Sequence, residues 1–309
     1  MNLTHQGPLE RYENNPILSP EDMPFRCYSV FNAGATWFKG KVLLLLRVES
    51  CKRETDFYVA TSKDGIHFDV ATKPVIYPLT ETEKLCGKGH RFDMRITRIG
   101  SLYYLCHATW LGHWGSCIGM ATTRDFVTLK PFRHLGQPSN RNAVLFPEKI
   151  NGMYARLDRP QNIDSSGRVW ISYSPDLEFW GQSMPVNLPL TPWNTAKSGP
   201  GAIPIKTSKG WLIIYHATAK TCSSENYYLA AALLDLKNPS KVIAAPRDFI
   251  LAAEKPYECM GQSPNVVFTA GAVEMPDGTL NVYYAGADTR MCLATTTVQK
   301  LVKYCLAAR

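Results

Sequence analysis

Short apolar segments rich in Val, Ile, Leu, Tyr and Trp run the length of the chain, separated by Gly, Pro, Asn and Asp. That texture predicts strands joined by turns. Long stretches with helical spacing are missing, and the one candidate is weak, around Val298–Ala307. The best apolar run, Val42–Leu46, is strand-sized and far short of the roughly 18–20 residues a membrane helix needs. The chain reads as all-β.

The pattern repeats. A glycine followed by an apolar strand recurs from Gly40 to Arg47, Gly100 to His107, Gly152 to Arg159, Gly210 to His216 and Gly278 to Asp288. Successive glycines are 60, 52, 58 and 68 residues apart. A second pattern follows each strand, as in Ala60–Phe68, Ala121–Phe126, Ser172–Phe179, Ala231–Leu236 and Leu293–Thr297. In the first three copies it is a strand running into a turn that contains Asp64, Asp125 or Asp176, so these aspartates read as structural. Five units of about 60 residues predict radial repetition of four-stranded sheets, a five-bladed β-propeller. Seven blades of about 40–45 residues would need a shorter period and a WD signature. A pair of β-sandwiches is the competing architecture. No linker, low-complexity stretch or charge block divides the chain.

Composition narrows the class. At 309 residues, 45% hydrophobic and 19% charged, the chain can bury a sizeable core and is not disordered. The first seven residues have neither a basic stretch nor an apolar one, so no secretory signal is expected. Nine cysteines lie far apart with no C-x-x-C, which removes zinc and thioredoxin readings and leaves no metal site expected. Several sit in apolar runs as small core residues, and a reducing cytoplasm is the expected location. The net charge of +8 is scattered, with no run of four basic residues and no nucleic-acid motif. Neither nucleic acid nor a membrane is therefore an expected partner. P-loop, G-x-S-x-G and H-E-x-x-H patterns are missing too.

Candidate chemistry lies at the strand ends. Arg47, His107, Arg159, His216 and Asp288 close the five repeated strands, and equivalent positions in propeller blades should face one mouth. Charges gathered there are costly unless a ligand is held. Arg141 and Asn142 lie in a turn-like stretch, Lys197 in a Gly/Pro-rich one, and Tyr227 and Tyr228 precede a strand of the fourth unit. Two Arg, a Lys, a His and a Tyr on one mouth suit a phosphate dianion. Asp93 lies among apolar residues between Arg91 and Arg95. Burial would raise its pKa toward that of a general acid, whereas pairing with either arginine would lower it. Trp110, His113 and Trp114 either rim a sugar site or pack within a loop.

At these residues the sequence resembles glycoside hydrolase family 130, the β-mannoside phosphorylases. The likeness runs from Asn15-Pro-Ile-Leu-Ser-Pro20 to Tyr284-Ala-Gly-Ala-Asp288, through Ser29–Ala35, Leu44–Glu49, Asn142–Ile150, Gly210–His216 and Pro264–Phe268. The family fold is a five-bladed propeller, so the resemblance implies one catalytic domain over residues 1–309. It makes Asp93 the general acid, in an Asp-Met-Arg-Ile setting where the family has Asp-Pro-Arg-Ile. Arg141, Asn142, Arg159, Lys197, His216 and Tyr227 match the phosphate-binding set. Asn32, Arg47 and Asp288 match contacts to the transferred mannosyl unit.

The implied reaction is inverting phosphorolysis, in which a β-mannoside and inorganic phosphate give α-mannose 1-phosphate and a shortened sugar, reversibly. Phosphate is the co-substrate and no cofactor is implied. An inverting hydrolase needs a second carboxylate to activate water; phosphate is already an anionic nucleophile, so one acid and a cationic clamp suffice. The family's acid is thought to act through the mannosyl 3-hydroxyl. A β-mannoside hydrolase on the same fold is the alternative, but here every cationic position is filled. A non-catalytic glycan-binding propeller would need no acid at Asp93. Leaving-sugar contacts are expected in Cys86–His90 and Trp110–Ser116. Relatives often assemble through terminal extensions; this chain's termini are short, and a homo-oligomer stays open.

Overall fold

The computed structural model describes residues 7–307 except 163, 165 and 223. Its strands form five separate antiparallel sheets in a ring, a five-bladed β-propeller. The innermost strands are Ser29–Phe38, His90–Ile99, Asn140–Leu145, Lys197–Pro200 and Val267–Glu274. The second strands are the five repeats seen in the sequence: Lys41–Glu49, Leu102–Trp110, Tyr154–Pro160, Gly210–Lys220 and Thr279–Gly286. All five repeat glycines adopt positive φ, from 61° at Gly100 to 141° at Gly210, which explains why glycine recurs there.

The second strand of the first blade is apolar on both faces over Val42–Leu46 because both faces are covered. Leu43 and Leu45 pack with Met94, Ile96 and Leu105 of the second blade, whereas Val42, Leu44 and Leu46 pack with Val273, Tyr283 and Leu293 of the fifth. The run Val42–Leu46 is therefore one strand feeding two inter-blade cores. Asp64, Asp125 and Asp176 accept backbone N–H bonds at 2.9–3.2 Å from residues two and three further on, the structural role expected of them. Asp235 does the same in the fourth blade. The weak helical signal is a helix at Val298–Ala307, which buries Leu301 and Cys305 against the fourth and fifth blades.

His107 leaves the predicted ring of mouth residues. In the first blade Phe38 pairs with Lys41, so Gly40 is the second residue of its two-residue turn; in the second blade Ile99 pairs with Leu102, so Gly100 is the first. Counting from the glycine therefore slips by one. Arg47 lies opposite Phe31 and Arg159 opposite Arg141, but the equivalent position opposite Phe92 is Ala108. A one-residue slip reverses the face. The His107 ring is instead buried over Gly119, with Nε2 2.6 Å from the Tyr77 hydroxyl. Burial, then the charge of Arg91, lowers its pKa to about 4.

The ring closes between the chain's ends. Glu10 and Arg11 form the outer strand of the fifth blade, pairing with Thr295 and Ala294. Arg11 Nε lies 2.8 Å from Oε1 of the fully buried Glu258, and Nη2 lies 3.0 Å from Oε2. Arg11→Ala would leave that carboxylate buried without its cation, so we expect a loss of about 3 kcal/mol. Urea denaturation would show it as a lower midpoint at unchanged slope; an unaltered midpoint would mean that the pair does not hold the closure.

Candidate active site

Three innermost strands bend at the same point. Register shifts fall at Phe31/Gly34, Phe92/Arg95 and Arg141/Val144, and the bulged residues Asn32, Asp93 and Asn142 have φ of 47°, 60° and 62°. Asn and Asp tolerate this left-handed backbone better than other non-glycine residues, and a bulge re-aims its side chain. Here the bulges bring polar groups from separate blades into contact: Asn32 Nδ2 donates to Asp93 Oδ1 at 2.8 Å, and Asn142 Nδ2 lies 3.3 Å from His216 Nε2.

Asp93 is buried among cations. Arg47 Nη1 donates to Oδ1 at 3.1 Å, and Arg141 Nη2 is 4.0 Å from Oδ2. Burial raises the Asp93 pKa, but Arg47, then Arg141 and Arg95, together with the Asn32 hydrogen bond, outweigh it and hold the carboxyl below its ordinary range. Of the two readings of the sequence, ion pairing prevails, chiefly with Arg47 and Arg141; of the two arginines considered, Arg95 adds its charge and Arg91 does not. Arg91 instead donates to Glu83 at 2.6 and 2.7 Å. Arg95, fully buried, donates to the backbone carbonyls of Asp93, Pro200 and Gly201 at 2.8–2.9 Å. Arg47 is steadied in turn by Glu49 at 2.5 Å and lies over the Phe31 ring. Half-buried Asp288 is within electrostatic reach of Arg47; burial raises its pKa, Arg47 and Ser263 oppose the rise, and Asp93 and Glu49 add to it.

A second cluster adjoins the first. Arg159 Nη1 is 2.9 Å from His216 Nε2. Burial, then Arg141, brings the Arg159 pKa down to about 10. Burial, followed by Arg159, Arg95, Arg141 and Lys197, drives His216 well below its ordinary value, so its imidazole is neutral. Nε2 faces N–H donors from Arg159 and Asn142, which places the ring proton on Nδ1. Tyr227 stacks on His216 at 6.0 Å, while Tyr228 turns away to pack on Trp193 and Phe249. Alternation along one strand thus separates the two tyrosines. Lys197 Nζ lies 2.9 Å from Glu225 Oε2. Gly199 carries no Cβ because one would sit 2.5 Å from His216 Cε1. Buried Arg47 Nε, Arg141 Nε, Arg159 Nε and His216 Nδ1 have no hydrogen-bond partner among the described residues.

The structure thus gathers the expected acid, phosphate-set and mannosyl-contact residues at one mouth, whereas His107 and Tyr228 turn away from it. Missed were Glu49, two positions from Arg47 on the same strand face and so legible by alternation, Glu225, and the tie of Arg95 to Pro200 and Gly201, whose partners lie far away in sequence. Among the described residues no group of His, Cys, Asp and Glu is placed to hold a metal, and no helix is long and apolar enough to cross a membrane.

The family model described as beta-1,4-mannooligosaccharide phosphorylase matches residues 8–307. The chain belongs to glycoside hydrolase family 130. Similar family members include a beta-1,4-mannooligosaccharide phosphorylase from Ruminococcus albus, 36% identical over 95% of this chain and 90% of the relative. A 1,2-beta-oligomannan phosphorylase from a Thermoanaerobacter species is 36% identical over 91% and 94%. The solved beta-1,2-mannobiose phosphorylase from Listeria innocua, in complex with beta-1,2-mannobiose, superposes with a TM-score of 0.86 at 29% identity, covering 97% of this chain and 99% of that one. The family fold and the architecture read from the repeats agree.

The electrostatics of the second cluster make a prediction. With its pKa depressed well below 6.5, His216 should show neutral-imidazole NMR resonances down to pH 5. Titration near pH 6.5 would mean that the surrounding cations do not act on it.

Proposed function

We propose that the chain catalyses inverting phosphorolysis of β-mannosides, converting a β-mannoside and inorganic phosphate to α-mannose 1-phosphate and the shortened sugar, reversibly. The carrying observation is the group of partnerless buried donors on Arg141, Arg159 and His216 beside the Asp93 carboxylate. A phosphate dianion accepts from such donors and cancels repulsion among the cations. The relatives named above are phosphorylases of β-1,4- or β-1,2-linked mannosides, and the reaction common to them is the one assigned to this chain.

In this reading Arg141, Asn142, Arg159, Lys197, His216 and Tyr227 bind phosphate, which is the co-substrate. Asn32, Arg47 and Asp288 hold the mannosyl unit. Asp93 supplies the proton that the leaving oxygen needs. The free protein holds Asp93 ionised, so the acid must be charged by its substrates. A dianion on Arg141 offsets that cation's pull on the carboxyl, and a sugar over the mouth excludes water, both of which raise the carboxyl's pKa. Residues 1–309 act as one catalytic domain, and a cytoplasmic location goes with the thiol usage.

The test is to incubate the protein with α-mannose 1-phosphate and a panel of sugars, following phosphate release and product linkage. Phosphate release with formation of a mannosyl-sugar is expected; mannose alone would favour hydrolysis. Asp93→Asn should lower turnover by about 10²-fold or more. Arg159→Ala and Lys197→Ala should raise the KM for phosphate by at least about tenfold. Unchanged turnover in the first variant removes Asp93 as the acid, and an unchanged KM in the other two removes the clamp.

A further inference from the structure

A cavity of about 490 Å³ opens beside Asp93, between the second and third blades. Phe92, Trp110, Ser116, Ser139, Arg141 and Gln161 line it. Phe92 is next to Asp93 in the chain, and its ring lies near the guanidinium groups of both Arg47 and Arg141, at 5.2 and 4.9 Å. Trp110 pairs with His90 on the strand that carries the acid, and their rings stack at 6.1 Å and 27°. The indole is thus fixed on one face yet remains 48% exposed.

We propose that this cavity takes the leaving sugar and that Trp110 is its platform, a specificity-determining residue for a neutral hexose. The proposal rests on the phosphorolysis reading and adds the acceptor to it. A pyranose has a C–H face that suits a rigid aromatic plane and a rim of hydroxyls that both donate and accept. The lining matches: one fixed indole, the hydroxyls of Ser116 and Ser139, the amide of Gln161, and no carboxylate or lysine among the described lining residues. Few polar groups converging on an aromatic-walled hollow are the general form of a small-ligand site. Its one cation, Arg141, also lies 4.0 Å from the acid, so a sugar held here sits next to the reacting centre. Trp114 is the natural control. It is 55% exposed and packs on His113 in the following turn, outside the cavity lining.

The experiment pairs synthesis kinetics with calorimetry. With α-mannose 1-phosphate as donor, Trp110→Ala should raise the acceptor KM by about tenfold or more. The KM for α-mannose 1-phosphate should stay within about twofold, Trp110→Phe should recover most of the loss, and Trp114→Ala should change neither constant by more than about twofold. Titration calorimetry with mannobiose should show the same weakening in Trp110→Ala without turnover. An acceptor KM and mannobiose affinity within twofold of wild type in Trp110→Ala overturn the platform, as does an equal rise in both KM values. If the wild type binds mannobiose through Trp110 but releases no phosphate with any acceptor, the phosphorolysis reading fails while the platform stands.

Discussion

Repulsion between buried cations is the constraint around which the mouth of this propeller is organised. Arg141, Arg159 and Lys197 come from the third and fourth blades and Arg47 from the first, and each is held by a different device. Arg47 has Glu49 and Asp93, Arg141 lies over the Phe92 ring, Lys197 has Glu225, and Arg159 rests on a neutral imidazole. Arg95 braces the whole from below, tying the Asp93 backbone to the carbonyls of Pro200 and Gly201 in the fourth blade. The acid therefore cannot shift relative to the cationic wall opposite without breaking buried hydrogen bonds of Arg95. Such fixed dipoles and charges are what make electrostatic catalysis effective, since nothing has to reorganise at the moment of reaction.

Much of this arrangement was legible in the sequence, for identifiable reasons. The blades were countable because a turn with positive φ demands glycine, and the demand recurs five times. The turn aspartates were legible because their hydrogen bonds are local. Asp93 stood out by chemistry, but its partners did not, since Arg47 and Arg141 are brought to it by inter-blade packing that no local pattern encodes. His107 shows the limit most clearly. The glycine that marked its strand occupies a different place in its turn, and a shift of one residue sends the side chain to the other side of the sheet. The innermost bulges at Asn32, Asp93 and Asn142 recur at similar spacing, but three short polar residues carry no signal as bulges until the register is known.

The two-faced second strands explain why the chemistry is confined to the mouth. Most of each repeated strand is committed to inter-blade cores, and the charged pair inside the third, Arg156 with Asp158, is closed on itself at 3.0 Å, so the charges that reach the mouth come from a strand's end or from the innermost strand. Relatives are named for different mannosidic linkages, and the hollow proposed for the leaving sugar lies outside the packed strands, beside Trp110.

The seam between the first and last strands has a consequence for how the molecule is made. Arg11 and Glu258 are 247 positions apart, so the fifth blade is finished by a segment that precedes the first. Until then the early blades wait with an uncovered flank, and the basic wall and its acid, drawn from blades on both sides of the ring, have no fixed spacing. Loop closure over such a distance is slow compared with local hairpin formation. Competence to bind the anion should therefore emerge only when the circle is complete, which makes affinity for phosphate a late marker of maturation.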